Sequence, residues 1–207
     1  MLAVLLVGEI VISPAADYHP HAGAALAAFI WVVILLAAQY LADRRVVRWV
    51  IIPLAGVWVV ARLLEAFGSP EHVYTHLAPV AGLVLSCAML WGILERAHRV
   101  PQSAREAIAE AFIAYLLIAI AFAQLYWILN LTLAKPFNQV IVPHEISTLL
   151  YFSMVTISSV GYGVIAPINP YVRMVAAFEG ITGIFYIAVV VARLVGWYRG
   201  AERKERE

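Results

Sequence analysis

Charged residues are scarce in this chain. Of its 207 residues, only 13% are Asp, Glu, Lys or Arg, whereas 64% are hydrophobic and the mean hydropathy is +0.88. Soluble domains carry about 25% charged residues, so this composition indicates an integral membrane protein. The net charge is only +1, which leaves no basic surface for a nucleic acid.

Cysteine is nearly absent as well. Cys87 is the only one and lies in an apolar run, which excludes an internal disulfide. The sequence has no phosphate-binding glycine loop with a lysine, no nucleophile elbow and no metal-ligand cluster. We therefore expect no enzymatic activity, no organic cofactor and no small-molecule substrate. A cleavable signal peptide is not expected either, because a basic start is missing and Glu9 interrupts the first apolar run.

Long apolar runs dominate what is present. A spanning helix needs about 20 apolar residues, and the runs predict an all-α membrane protein with six transmembrane helices. The predicted spans cover residues 1–13, 23–42, 46–67, 73–94, 107–133 and 172–198. The first is short and is either a span or an interfacial segment; we favour a span. The first four form an N-terminal bundle over residues 1–100, and the last two belong to a pore domain over residues 101–198.

Arginine and lysine are unevenly distributed among the connections. They cluster after the second, fourth and sixth spans, at Arg44, Arg45, Arg48, Arg96, Arg99, Arg105, Arg199, Arg203, Lys204 and Arg206. Because basic loops stay on the cytoplasmic side, both termini are expected in the cytoplasm. Residues 199–207 then form a short tail whose basic side chains can contact anionic membrane lipids. A bacterial inner membrane is the expected location.

The N-terminal bundle lacks a ladder of arginines. Voltage sensors carry several arginines at every third position of one span, whereas residues 73–94 contain neither arginine nor lysine. Arg62 and Glu65 on the third span are spaced to meet on one helix face, and we interpret them as a structural ion pair rather than a sensor. We therefore expect little intrinsic voltage sensitivity.

One short stretch carries the clearest chemical signal. A dehydrated potassium ion needs rings of oxygen ligands, and backbone carbonyls supply them when several point the same way. Two alternate glycines permit the backbone angles that this requires. The stretch is Ser158-Ser159-Val160-Gly161-Tyr162-Gly163. Together with Thr156-Ile157 before it, the stretch resembles the selectivity filter of potassium channels, and the resemblance implies that the carbonyls of Ser159, Val160, Gly161 and Tyr162 are the K⁺ ligands. A hydroxyl of Ser158 or Ser159 would add an inner ring, and the Tyr162 ring is expected to brace the stretch from behind.

A short apolar segment precedes this stretch. Pro143, followed by His144 and Glu145, indicates a helix start with a carboxylate in its first turn. Residues 144–156, which end at Thr156, are too few to cross a membrane and suit a re-entrant pore helix. We interpret Glu145 as a helix cap rather than an ion ligand. His144, near the predicted external mouth, is a candidate pH-sensing group, and Thr156 is a candidate filter support.

The last span carries two glycines and a carboxylate. Gly180 is either a bend point or a close-packing position, and Gly183 is interpreted as a gating hinge. A carboxylate such as Glu179 is costly inside a span unless it faces protein or water. Two interpretations of Glu179 stay open. It hydrogen-bonds behind the filter or at the base of the pore helix and tunes gating by protonation, or it makes a structural hydrogen bond to the hydroxyl of Thr156 or Ser153.

Residues 151–198 resemble the pore domain of the tetrameric potassium channels. They are most similar to the small bacterial two-transmembrane-pore type called the ion channel 2 family. Besides the filter stretch, the similarity rests on Phe178-Glu179-Gly180 and on Val191-Ala192-Arg193-Leu194-Val195-Gly196. The resemblance implies a homotetramer with four-fold symmetry, one central pore and K⁺ as the permeant ion, because one chain supplies only one filter strand.

Two positions depart from the family pattern. Asp usually follows the last filter glycine, where this chain has Val164, and the usual filter threonine is Ser159. The missing acid removes an external negative charge and a group that often hydrogen-bonds behind the filter. We predict a passive potassium-selective channel. The alternatives are a weakly selective cation channel, a subunit of a potassium transporter, and a non-conducting membrane sensor or scaffold. Such transporters normally carry four degenerate filter loops in one chain, and this chain has one.

Overall fold

The structure is a computed structural model that describes residues 7, 8, 10, 53, 55–60, 72–97, 104–141 and 146–204. Its long elements are α1 (His72–Ala97), α2 (Ala104–Thr132), α3 (Ile146–Ile157) and α4 (Pro170–Lys204). Three of these helices contain apolar stretches long enough to cross a membrane, namely His76–Glu95, Glu106–Thr132 and Pro170–Arg193. The chain is therefore a mostly helical membrane protein.

These three stretches correspond to the last three spans predicted from the sequence. The first three predicted spans, together with Arg62 and Glu65, lie largely or wholly outside the described residues, so the count of six stays a prediction. The helix bounds differ by a few residues. α2 ends at Thr132, one residue before the predicted end, and α4 continues to Lys204, past the predicted end at residue 198.

α1 lies along α2 and shares an apolar seam with it. Leu85 and Met89 on α1 are buried against the cluster that includes Ile113 and Leu117 on α2. A glycine on α1, Gly82, faces the Gln124 side chain so closely that an added Cβ would lie 2.8 Å from it. Close packing of this kind holds helices together in a membrane, where lipid tails are as apolar as the side chains.

α3 has twelve residues and packs against both α2 and α4. At 1.5 Å per residue it extends only about 18 Å, which is too short to cross a membrane. The rings of Tyr126, Phe137 and Phe152 meet edge to face beside it, with centroids 4.9 to 6.1 Å apart. Each such pair contributes about 0.5–1.5 kcal/mol beyond the area it buries. One side of α3 is buried, at Leu149, Leu150, Phe152, Ser153 and Ile157, and its re-entrant position in a membrane stays a prediction.

α4 begins where its sequence provides a cap. The Asn169 side-chain oxygen accepts a hydrogen bond from the Tyr171 N–H at 3.0 Å. Pro170 occupies the first helical position, where its missing N–H costs nothing and its fixed φ suits the helix. The cap fixes the point at which the chain leaves the loop after residue 163 and enters the long helix.

Candidate functional site

Residues 158–163 follow directly after the C-terminal end of α3. The Ser159 N–H donates a hydrogen bond to the Thr156 carbonyl, and the Gly161 N–H donates one to the Val155 carbonyl, both at 3.0 Å. The last turn of α3 therefore anchors the first half of this segment. The negative end of the helix dipole points toward the segment, which favours a cation there.

The backbone of this segment alternates in handedness. Ser159, Gly161 and Gly163 have φ of +59°, +54° and +76°, whereas Val160 and Tyr162, which alternate with them, have negative φ. The N–H groups of Ser159 and Gly161, two residues apart, both point back to α3, so that a column of carbonyls on the other face of the chain is a prediction for this segment. A column of carbonyl oxygens on one face is the arrangement that a dehydrated K⁺ requires.

Sequence reasoning anticipated the glycines of this alternation but not the serine. A left-handed conformation costs a non-glycine residue about 1–2 kcal/mol, so Ser159 holds this conformation only because its surroundings impose it. Its N–H bond to the last turn of α3 supplies part of that constraint. Residue type alone carries no signal for this, since serine has no preference for positive φ.

The side chains of Ser158, Ser159 and Tyr162 differ in their contacts with α3. The Ser158 hydroxyl donates to the Met154 carbonyl at 2.6 Å, so it is engaged by α3. Within the described residues, the Ser159 hydroxyl has no hydrogen-bond partner. The Tyr162 ring stacks on the Tyr151 ring of α3, with centroids 6.5 Å apart and planes 4° from parallel. Of the two serines, Ser159 is therefore the one whose hydroxyl is available to a ligand.

The loop after α2 holds the chain that follows Gly163. The Asn138 N–H donates to the Ala166 carbonyl at 2.9 Å, and the Ala166 N–H donates back to Asn138 Oδ1 at 2.9 Å. Asn138 Nδ2 donates to the Val164 carbonyl at 3.3 Å. Sequence reasoning missed Asn138, since its partners are 26 and 28 positions away. Asparagine is common in loops for its local backbone bonds, but a long-range partner leaves no local pattern.

Glu179 is buried, with 0% of its surface exposed, at the junction of three helices. Its Oε2 accepts a hydrogen bond from the Tyr126 hydroxyl of α2 at 2.6 Å. Its Oε1 lies 2.5 Å from the Ser153 hydroxyl of α3. The Thr156 hydroxyl, the other partner considered from the sequence, donates to the Phe152 carbonyl instead. One carboxyl group therefore joins α4 to both α2 and α3.

The Ser153 hydroxyl has two acceptors within reach and only one hydrogen. It lies 2.7 Å from the Ala119 carbonyl as well as 2.5 Å from Glu179 Oε1. When Glu179 is protonated, it can donate to Ser153, while Ser153 donates to Ala119 and Tyr126 donates to the other carboxyl oxygen. Every polar group then has a partner. When Glu179 is ionised, the single Ser153 hydrogen goes either to the carboxylate or to the Ala119 carbonyl, which lies inside α2 and also accepts from its own helix.

The two glycines of α4 have different surroundings. A Cβ added at Gly183 would collide with the carbonyl oxygen of Ile157, the last residue of α3. A Cβ at Gly180 would lie 3.8 Å from the Thr156 carbonyl oxygen, which is an ordinary contact. Further along α4, the Tyr186 hydroxyl donates to the Ala111 carbonyl at 2.7 Å. Gly183 thus permits a close approach of α4 to α3, and its role as a hinge stays a prediction.

The remaining candidates are quickly placed. His144 and Glu145 lie outside the described residues, so their proposed roles stay predictions. Among the residues that the structure describes, no group of three His, Cys, Asp or Glu side chains is placed to hold a metal ion.

Residues 111–199 match a family model described as an ion channel. The matched range contains most of α2, all of α3, residues 158–163 and most of α4, so it covers every contact described above except those of α1. No curated protein and no solved structure matches the chain. The match supports passive ion conduction by this part of the chain and is in line with the expected lack of enzymatic activity.

Proposed function

We propose that four copies of this chain form a pore that conducts K⁺ passively and selectively. The ligands are the carbonyl oxygens of Ser159, Val160, Gly161 and Tyr162, with the Ser159 hydroxyl at the inner end. The observation that carries the proposal is the alternating sign of φ from Ser159 to Gly163. It supports a column of carbonyls inside a range that matches an ion-channel model.

The tetramer is supported by the ligand chemistry. One chain contributes one column of oxygens, whereas a dehydrated ion needs oxygens on several sides, so several columns must surround one axis. The surface of α4 is in accord with this. Only 11% of the residues in its apolar span are buried, against 50% and 56% in the spans of α1 and α2. The exposed side chains include Met174, Phe178, Ile181 and Phe185, and we assign this face to neighbouring copies and to the pore.

The choice of K⁺ follows from the ligands being backbone groups. Val164 in place of an acid removes a charge and a side-chain hydrogen bond, but it removes no carbonyl from residues 159–162. The Val164 side chain is 62% exposed in the single chain. Because Val164 gives the filter neither a charge nor a side-chain hydrogen bond, this position favours a second candidate function, a weakly selective cation channel. The remaining assignments belong to the same proposal: cytoplasmic termini, a bacterial inner membrane and a tail near anionic lipids.

Substitution of Gly161 tests the proposal at the filter. Alanine at φ +54° carries a penalty of about 1–2 kcal/mol in every copy, so Gly161→Ala should abolish most K⁺ flux from liposomes that contain the purified protein. Gly56→Ala is the matched control, because Gly56 is helical and an added Cβ would meet nothing within 4 Å. Both variants are first checked for an unchanged oligomer mass.

The outcomes separate the candidates. We expect wild-type and Gly56→Ala protein to pass K⁺, to pass little Na⁺ and to be blocked by Ba²⁺. Equal Na⁺ flux would favour the weakly selective channel. Full K⁺ flux through Gly161→Ala would contradict the assignment of residues 159–162 as the ligands.

A further inference from the structure

The residue that follows the last glycine of the proposed filter is not acidic. Val164 stands at the position after the last glycine, and an apolar side chain cannot donate or accept a hydrogen bond. The next carbonyl along the chain nevertheless has a side-chain partner, because Asn138 Nδ2 donates to the Val164 carbonyl oxygen at 3.3 Å. The donor comes from the loop after α2 and not from the filter itself.

We propose that Asn138 is a positioning residue that holds the external end of the filter, and this inference rests on the proposed function. Its side chain uses both of its polar atoms on the chain beyond Gly163. Nδ2 bonds to the Val164 carbonyl, and Oδ1 accepts from the Ala166 N–H at 2.9 Å. Together with the backbone bond from Asn138 to Ala166, this makes three links to two residues.

Asn138 is itself fixed by its neighbours in the chain. Phe137 is only 3% exposed, and its ring meets the Tyr126 and Phe152 rings at centroid distances of 6.1 and 5.2 Å. Pro136 accepts backbone bonds from Ile168 and from Asn169, at 3.0 and 3.3 Å. The loop is therefore fastened to the aromatic core on one side and to the chain before α4 on the other.

These contacts connect the aromatic core to the chain that directly follows the proposed filter. Val164 follows Gly163 directly, so the orientation of the Val164 peptide constrains the last filter residues. A free end would let the carbonyls of Tyr162 and Gly163 turn and would loosen the cage that distinguishes K⁺ from Na⁺. Each copy that surrounds the pore contributes one such bond, so all copies together stabilise the same cage.

Two substitutions at position 138 isolate the contact. Asn138→Ala removes both side-chain bonds, whereas Asn138→Asp keeps an acceptor for the Ala166 N–H and loses only the donor to Val164. Asn130→Ala is the matched control: Asn130 Nδ2, on α2, makes a similar bond to the Ile141 carbonyl of the loop at 2.9 Å, and it does not bond to Val164. All are compared with the wild-type protein in liposomes, and oligomer mass and thermal stability are measured alongside.

The readout is the ratio of K⁺ to Na⁺ flux. The carboxylate that Asn138→Asp adds near the pore mouth attracts K⁺ and Na⁺ equally. The flux ratio therefore measures the selectivity of the carbonyl cage and not the effect of surface charge. We expect Asn138→Ala and Asn138→Asp to lower the ratio about fivefold or more, which corresponds to about 1 kcal/mol, while Asn130→Ala keeps the wild-type ratio.

Four results would overturn the inference. One is an unchanged ratio in both Asn138 variants beside a selective wild-type protein, which leaves the proposed function intact. Another is an equal loss of the ratio in Asn130→Ala, or a loss of the oligomer in both Asn138 variants, because either result assigns the loop to folding. A wild-type protein that does not discriminate between the ions refutes the proposed function first and this inference with it.

Discussion

A buried carboxyl group, Glu179, concentrates the polar contacts of this membrane domain in one place. Membrane spans tolerate ionisable residues when these face protein and find partners, and Glu179 has the Tyr126 and Ser153 hydroxyls. On α2, the titratable side chain in contact with Glu179 is Tyr126, whereas the ring of Tyr115, nearer the start of α2, packs on Tyr186. α3 contains no acidic or basic residue, so from that side the carboxyl meets only the hydroxyl of Ser153.

Glutamine and alanine at position 179 should behave differently. In Glu179→Gln, the amide can donate to Ser153 and accept from Tyr126, so the oligomer should keep its thermal stability. In Glu179→Ala, the buried Tyr126 hydroxyl loses its partner, and an unsatisfied group of this kind costs about 1–3 kcal/mol. Thermal unfolding of the purified oligomer measures this, and equal stability of the two variants would contradict the role given to these contacts.

The same glutamine variant tests the tuning hypothesis for Glu179. If protonation of Glu179 sets the gating, K⁺ flux through Glu179→Gln should no longer respond to pH in the way that the wild-type flux does. A variant that retains the wild-type response leaves Glu179 with a structural role alone.

At the scale of elements, α3 is the part on which the others depend. Its C-terminal turn anchors the filter segment, its middle carries Ser153, and its last residue lies against Gly183 of α4. α4 can therefore move relative to the filter only by changing its contacts with α3. The α1 span, His76–Glu95, contains neither arginine nor lysine, and the weak voltage sensitivity expected from this stays a prediction.

The two glycines of α4 form a matched pair for substitution. Gly180→Ala should be tolerated and even stabilising by up to about 1 kcal/mol, because the added methyl makes an ordinary contact and alanine favours helix. Gly183→Ala should destabilise the oligomer, since the methyl collides with the backbone of Ile157. Oligomer mass and thermal unfolding distinguish the two. A stable Gly183→Ala oligomer with altered open probability would instead favour the hinge.

Different parts of this arrangement were accessible to sequence reasoning to different degrees. The apolar runs predicted α1, α2 and α4 because span length is set by the membrane and read directly from composition. Glycine identity predicted the positive φ at two filter positions. The positive φ of Ser159, the partners of Asn138 and the choice of Ser153 over Thr156 were not predictable to the same degree, because each depends on contacts between distant segments.

At the scale of the whole molecule, one chain supplies only part of the proposed ion-binding site. One column of carbonyls and a largely exposed α4 become a pore only when copies surround a common axis. Among the described helices, α1 contacts the rest of the domain mainly through α2. A conformational change in α1 would therefore reach α3 and α4 mainly through the α1–α2 seam.

The most direct test of the central claim is the reversal potential of the purified protein in a planar bilayer with K⁺ on one side and Na⁺ on the other. If the carbonyls select K⁺, the reversal potential should lie far from zero, with the sign produced by K⁺ flowing out of the compartment that contains it. Added Ba²⁺ should abolish the current. A reversal potential near zero would contradict potassium selectivity and leave a cation pore in which residues 159–162 do not act as the filter.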